Sequence, residues 1–159
     1  MSKRRKVALA VPLVLCAAVL LWAFLPRSFH QASHVPLKQV TRIGVCLHPT
    51  KVPTEGYYTL SLLPEDPAFG QLLELLESKK YFPMVPGNRG RLLLLDYHVS
   101  IDFLLTDRDG AYWGFGTYFT GDKPIQIGQR DYTVSGSKAF QQAVLDLLLA
   151  QEPEFVPND

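Results

Sequence analysis

The sequence predicts an α+β protein: an N-terminal single transmembrane helix followed by a small two-layer sandwich of a mostly antiparallel sheet with two helices. Three observations predict it. From Val7 to Leu25 no residue carries a charge. Beyond residue 40, several short runs alternate apolar and polar side chains at period two, as half-buried strands do. Two stretches, starting near Pro67 and Ser137, instead space their apolar residues at i, i+3, i+4 and i+7, as helices lying on a core do.

The uncharged run fixes the first element. Its 19 residues span about 28 Å as a helix, close to the roughly 30 Å hydrocarbon core of a bilayer. A core helix of a soluble domain keeps a polar face over such a length, and this one has none. Pro12 falls within it, which membrane helices tolerate. Lys3, Arg4, Arg5 and Lys6 precede the run and only Arg27 follows closely. The excess of basic residues before the run predicts a cytoplasmic N-terminus and an extracytoplasmic C-terminal domain. Trp22 and Phe24 suit the far interface. A cleavage site is not evident, because Ala23 is preceded by Leu21 and Ala32 by His30 where a small residue is wanted. Lipidation at Cys16 is disfavoured by the apolar residues that continue past it. The reading is an uncleaved signal anchor, single-pass in the cell membrane.

The expected organisation is therefore a basic tip at 1–6, a transmembrane anchor at 7–25, a stalk at 26–39, a domain at 40–150 and a polar tail at 151–159. The stalk has no clean period and is bracketed by Pro26 and Pro36; fully extended, it would reach about 45–50 Å.

Within the domain, Thr41 to Leu47 places Ile43, Val45 and Leu47 on one strand face. Tyr57 to Leu63 alternates in the same way. Asp66 then reads as a helix N-cap with Pro67 in the first turn, and Phe69, Leu72, Leu73 and Leu76 form the stripe. Pro83, Pro86 and Gly87 predict a loop. Leu92 to Val99 reads as a strand covered on both faces, Ser100 to Thr106 as the next, and Asp107–Gly110 as a hairpin turn. Ala111 to Phe119 returns, with Trp113, Phe115, Thr117 and Phe119 on one face. After a turn at Gly121–Lys123, Ile125, Ile127, Tyr132 and Val134 supply two short strands. Ser135 or Ser137 caps a last helix with Phe140, Val144, Leu147 and Leu148 as its stripe. The order is β-β-α-β-β-β-β-α, which buries its stripes as helices laid on one sheet face.

Composition excludes several function classes. The 159 residues carry 16 Lys+Arg against 15 Asp+Glu, and 12 against 15 beyond residue 26, a net charge of −3 for that part. A nucleic-acid binder or a broad anionic-lipid binder would be strongly basic. Hydrophobic residues at 47% exclude a disordered chain. Two cysteines, one of them within the anchor, build no disulfide framework.

Few residues group in a way that carries chemistry. Asp96 and His98 lie two apart on one strand face, with Asp102 four further on, and could serve as a general-base pair or an alternative polar site. Neither His-Glu-x-x-His nor Cys-x-x-Cys spacing supports a metal. Cys46 precedes His48 by two, the arrangement of a thiol beside a base, although a small buried residue on a strand explains Cys46 as well. Asp107-Arg-Asp-Gly opens like a calcium loop, but the twelfth position is Tyr118, not Glu. Tyr112-Trp-Gly-Phe-Gly lacks the third glycine of a dinucleotide fingerprint. Its two glycines would let a helix or ligand approach closely. Ser135 and Lys138 have no partner motif. His30 and His34 fall in the stalk and read as solvated.

No cofactor and no metal are expected. The expected partners are the bilayer, through residues 7–25, and another membrane or envelope protein; nucleic acid is not one. The expected function is a non-enzymatic, membrane-anchored extracytoplasmic binding module whose contact patch is Tyr112, Trp113 and Tyr118 on the sheet face that helices leave open. The alternative is an envelope hydrolase or small-ligand sensor using the Asp96, His98 and Asp102 strand face.

Overall fold

A computed structural model describes residues 3–50, 55–84, 96–106, 112–119 and 124–158, with the side chains of 3–11, 20, 112 and 113 left out. The fold is α+β, built on an antiparallel eight-stranded sheet. The first helix, α1, covers Lys3–Phe24. A short helix α2 (Phe29–Ser33) and a 3₁₀ turn at Leu37–Gln39 lead into β1 (Val40–Pro49) and β2 (Gly56–Leu62). Helix α3 (Pro67–Glu77) and the short β3 (Tyr81–Pro83) follow. Then come β4 (Tyr97–Thr106), β5 (Tyr112–Phe119), β6 (Ile125–Ile127) and β7 (Arg130–Val134). Helix α4 (Ser137–Leu149) and β8 (Glu154–Pro157) complete the chain. The strand order across the sheet is β3-β7-β6-β5-β4-β1-β2-β8.

One core holds the body together. The sheet contributes Ile43, Val45 and Leu47 from β1, and Val99, Ile101, Phe103 and Leu105 from β4. Directly opposed residues of antiparallel strands share a face, and the register pairs Ile43 with Phe103 and Val45 with Ile101. Against this face pack Phe29 and Ala32 of α2, Leu72 and Leu76 of α3, and Phe140, Val144 and Leu148 of α4. Among the described residues the three body helices all lie on that side, and they bury one face of the sheet.

Both amphipathic helices form where their periodicity predicts; Asp66 occupies the N-cap of α3 with Pro67 in the first turn, as expected, but its side chain does not bond that turn, and α4 is not capped by a serine. The Asp66 carboxylate accepts from the N–H of Leu63 at 2.7 Å, closing the turn before α3, and makes no hydrogen bond to that helix's first turn. At α4 the N-cap position is Gly136, in the left-handed region at φ 67°. Ser137 lies inside the helix and accepts from the side chain of Gln141 at 2.8 Å.

Three expected boundaries are corrected. Residues 26–39 are not a stalk. The backbone of Arg27 pairs with that of Tyr81 through two hydrogen bonds of 2.9 and 2.8 Å, and Phe29, Ala32 and Val35 are buried in the core. An aromatic and two aliphatic residues spaced three apart anchor this segment, a pattern too short for periodicity to reveal. Residues 151–159 are not a free tail, because β8 pairs with β2 from Gly56↔Pro157 to Thr59↔Glu154. The loop expected at Pro83 starts after a three-residue strand, in which Tyr81 pairs with Val134. Among the described residues the body thus has three α-helices where two were expected. Ser100–Thr106 continues the strand begun at Tyr97 instead of forming a separate one. The leucine run at 92–95, the turns at 107–110 and 121–123, and the loop at 86–88 lie outside the described residues.

The backbone of α1 is helical over the expected segment, with Pro12 inside it. Its described side chains, among them Leu13, Leu15, Val19, Leu21 and Trp22, are exposed. Among the described residues no helix is long and apolar enough to cross a membrane; in α1 those side chains begin at Pro12. Crossing of a bilayer by residues 7–25 rests on the sequence alone.

Candidate functional site: the open sheet face

Helices on one side leave the other face of the sheet to the alternate residues of each strand. On β1 these are Gly44, Cys46 and His48; on β4, His98, Ser100, Asp102 and Leu104; on β5, Gly114, Gly116 and Tyr118. The register brings them into rows. His48 stands opposite His98, and Cys46 opposite Ser100. Ser100 in turn stands opposite Tyr118, and Asp102 opposite Gly116. Tyr118 continues to Gln126 of β6, which pairs with Asp131 of β7.

Tyr118 sits diagonally between His98 and Asp102. Its hydroxyl and the Asp102 carboxylate both lie over Gly116: a Cβ at Gly116 would stand 3.2 Å from the Tyr118 oxygen and 3.0 Å from Asp102 Oδ1. Glycine at 116 lets the tyrosine ring fold back along its own strand toward the carboxylate. The expectation that Gly114 and Gly116 admit a helix is therefore corrected. Both face away from every body helix, and the space above Gly116 holds polar side chains.

Tyr118 of the predicted aromatic patch thus shares one surface with His98 and Asp102 of the predicted polar strand face. Tyr118 is exposed, as are Asp96, His98 and Asp102. Tyr112 pairs with Thr106 and Trp113 with Leu105, which is buried on the helix side. That register gives position 113 the helix-covered face and position 112 the open one; the side chains of both lie outside the described residues. Positions 113 and 118 have opposite strand parity in that register.

His98 and Asp102 do not form an acid–base pair. His98 and Asp102 are four residues apart on an extended strand, about 13 Å along the chain, too far to share a proton. Asp96 precedes β4, where its backbone carbonyl accepts from the N–H of Thr50 at 2.9 Å. Cys46 is not an activated thiol either. Partial burial, and secondarily the negative charge of Asp102, push its pKa up, which holds it in the protonated, unreactive form. Among the described residues no group of three or more His, Cys, Asp or Glu could hold a metal ion.

Sequence reasoning missed the neighbours that pairing supplies. Tyr57 of β2 stacks on the ring of His48, with centroids 5.2 Å apart and planes at 30°. Gln126 and Asp131 extend the polar row. Strand parity marks each of them as outward-facing, but only the register says who stands beside whom.

The face does offer a broad, mixed-polarity surface carrying imidazoles, a phenol and carboxylates on a rigid scaffold. Beyond Leu104 it runs into a cavity of about 480 Å³ lined by Thr41, Arg42, Leu63, Leu104 and Thr106. No known protein family, characterised protein or solved structure matches the chain.

Proposed function

We propose that the protein is a membrane-anchored, non-catalytic binding module: α1 lies in the cell membrane and the open sheet face, centred on Tyr118, contacts another protein of that membrane. The one-sided burial of the sheet carries the reading. Three helices cover one face with an apolar core, while the other presents tyrosine, histidine and carboxylate side chains on a scaffold that their own packing does not require.

The anchor is supported by the uncharged run from Val7 to Leu25 and by the exposure of every described large apolar side chain of α1. A water-facing helix of that composition would be an aggregation site. Only Leu25 and Pro26 separate α1 from the Arg27–Tyr81 pairing, so anchoring would hold the body at the headgroups and limit its partners to those of the same height. Tethering also raises the effective concentration of such a partner.

The test is photo-crosslinking in intact membranes. A benzophenone amino acid is placed at Tyr118, at His98 and, as a control on the helix side, at Gln142 of α4. The expected result is one membrane protein crosslinked from 118 and 98 and absent at 142. Identical products from all three positions, or none from the sheet face, would reject the surface. Extraction of the full chain by alkaline carbonate would reject the anchor.

A further inference from the structure

We infer that the cavity at the junction of α1 and α2 binds the phosphate of an anionic membrane lipid. The inference rests on α1 lying in the bilayer. The cavity measures about 510 Å³, and its lining includes Trp22, Arg27, His30, Gln31 and His34, with no acidic residue among the lining groups. The guanidinium of Arg27 lies over the Trp22 ring, 5.2 Å from its centroid. That contact holds a cation with bidentate phosphate geometry beside an interfacial tryptophan.

Gln31 is turned toward donation by a bond it already makes, and His30 and His34 are held at the cavity by the backbone of α2. The Gln31 amide oxygen accepts the N–H of Ser28 at 3.0 Å, which leaves its NH₂ as the group it can offer. Nδ1 of His30 donates to the Val35 carbonyl, which fixes the ring in orientation; the remaining Nε2 donates to an anion only when the ring is the imidazolium. His34 closes α2 in the left-handed region at φ 60°, a helix-terminal position that glycine or asparagine usually takes. A histidine there keeps an imidazole at the cavity at a conformational cost.

The body's net charge of −3 argues against a broad electrostatic footprint, so recognition of an anion must be local. The nearest acid on the adjoining helix, Glu77, is engaged with the backbone N–H of His30 at 2.7 Å. The junction also stands where the headgroups would be, because α1 ends at Phe24 and the body begins at Arg27. A phosphodiester is the anion available at that depth.

The experiment uses the full-length chain. It is reconstituted in nanodiscs of mixed phosphatidylglycerol and phosphatidylcholine, moved into lipid-free detergent, and its retained lipid is counted by native mass spectrometry. Phosphatidylglycerol is expected to stay with the wild type in preference to phosphatidylcholine. Arg27→Gln and His34→Asn should each lower retention about tenfold, the asparagine keeping the left-handed backbone. Lys38→Gln, outside the cavity, should not. In a second arm, inorganic phosphate is titrated into lipid-free protein while the histidine ring signals are followed by NMR; those of His30 and His34 should move and those of His48 and His98 should not. Membrane-held protein whose lipid retention is the same in wild type and both variants overturns the site and leaves the anchor standing. Protein released by carbonate that still shows the His30 and His34 shifts supports the phosphate site and assigns it to free phosphate, while the anchor falls. Unmoved histidines together with unselective retention overturn the inference outright.

Discussion

Phe29 lies against Phe103, ring centroids 5.5 Å apart, and this contact joins the segment that leaves α1 to the centre of the sheet. Phe29 also meets Tyr81 at 5.7 Å and Phe115 at 6.2 Å, and it is wholly buried. A residue read from the sequence as part of a solvated stalk is a core aromatic. The body therefore starts at Arg27, not at Val40.

Removing that ring should be expensive. Phe29→Ala is expected to destabilise the body by about 3–5 kcal/mol, the range for emptying a buried aromatic site. Urea denaturation followed by circular dichroism measures it. A loss below about 1 kcal/mol would mean that residues 27–39 fold apart from the sheet.

Thr117 presents the opposite case. It is fully buried on the helix-covered face of β5, and among the described residues its hydroxyl has no hydrogen-bond partner. Burying an unsatisfied hydroxyl costs about 1–3 kcal/mol, and valine has nearly the same shape. Thr117→Val is expected to raise the melting temperature by about 3–5 °C. An unchanged or lower melting temperature would show that the hydroxyl is satisfied.

The β2–β8 edge depends on a missing side chain. A Cβ at Gly56 would collide with the carbonyl oxygen of Val156 and stand 2.7 Å from the Phe155 ring. Gly56→Ala should detach β8 and leave the rest folded, because the core does not include β8. Amide exchange at 154–157 should accelerate to the rate of an unstructured peptide while β1 and β4 stay protected.

Stability should fall in alkali. Burial, and then the nearby charge of Glu77, push the Tyr81 phenol well above its ordinary value of 10.0. Its hydroxyl donates to the Leu76 carbonyl at 2.9 Å. The unfolded chain releases this proton first, so the stabilisation is complete below about pH 10 and declines as pH rises beyond it. Tyr81→Phe should flatten the decline, while costing about 1 kcal/mol at neutral pH for the lost hydrogen bond. Identical pH profiles for the two proteins would exclude Tyr81 as the source.

Much of the sheet was legible because its strands are long and one-sided. Ile43, Val45 and Leu47 announced β1, and Phe69, Leu72 and Leu76 announced α3, since burial on a single face imposes a period on the sequence. Elements of three to five residues show a period only where they alternate cleanly, as β6 and β7 do. Hence α2, β3 and β8 were missed: Phe29 and Ala32 make too short a stripe, Tyr81 stands two residues before a proline, and Phe155 lies between two prolines. The open face was legible by parity alone. His98 and Asp102, read on two successive strands, lie on one, and that Tyr118 would join Asp102 above Gly116 depends on the β4–β5 register, which no local pattern encodes. The helix caps failed for a different reason. Asp66 and Ser137 have the right chemistry for capping, and each spends it on another partner.

The pair of backbone hydrogen bonds between Arg27 and Tyr81 has a mechanical meaning. Tension applied along α1 reaches the body at β3, the terminal strand of the sheet, and loads these bonds one after the other, as in opening a zip. They yield before the long β1–β4 ladder feels the load. Phe29 is the next point of resistance, and it holds by burial instead of by hydrogen bonding. The junction would therefore give way in two stages, a soft release of the chain exit followed by a stiff extraction of one aromatic ring, with the sheet intact throughout the first.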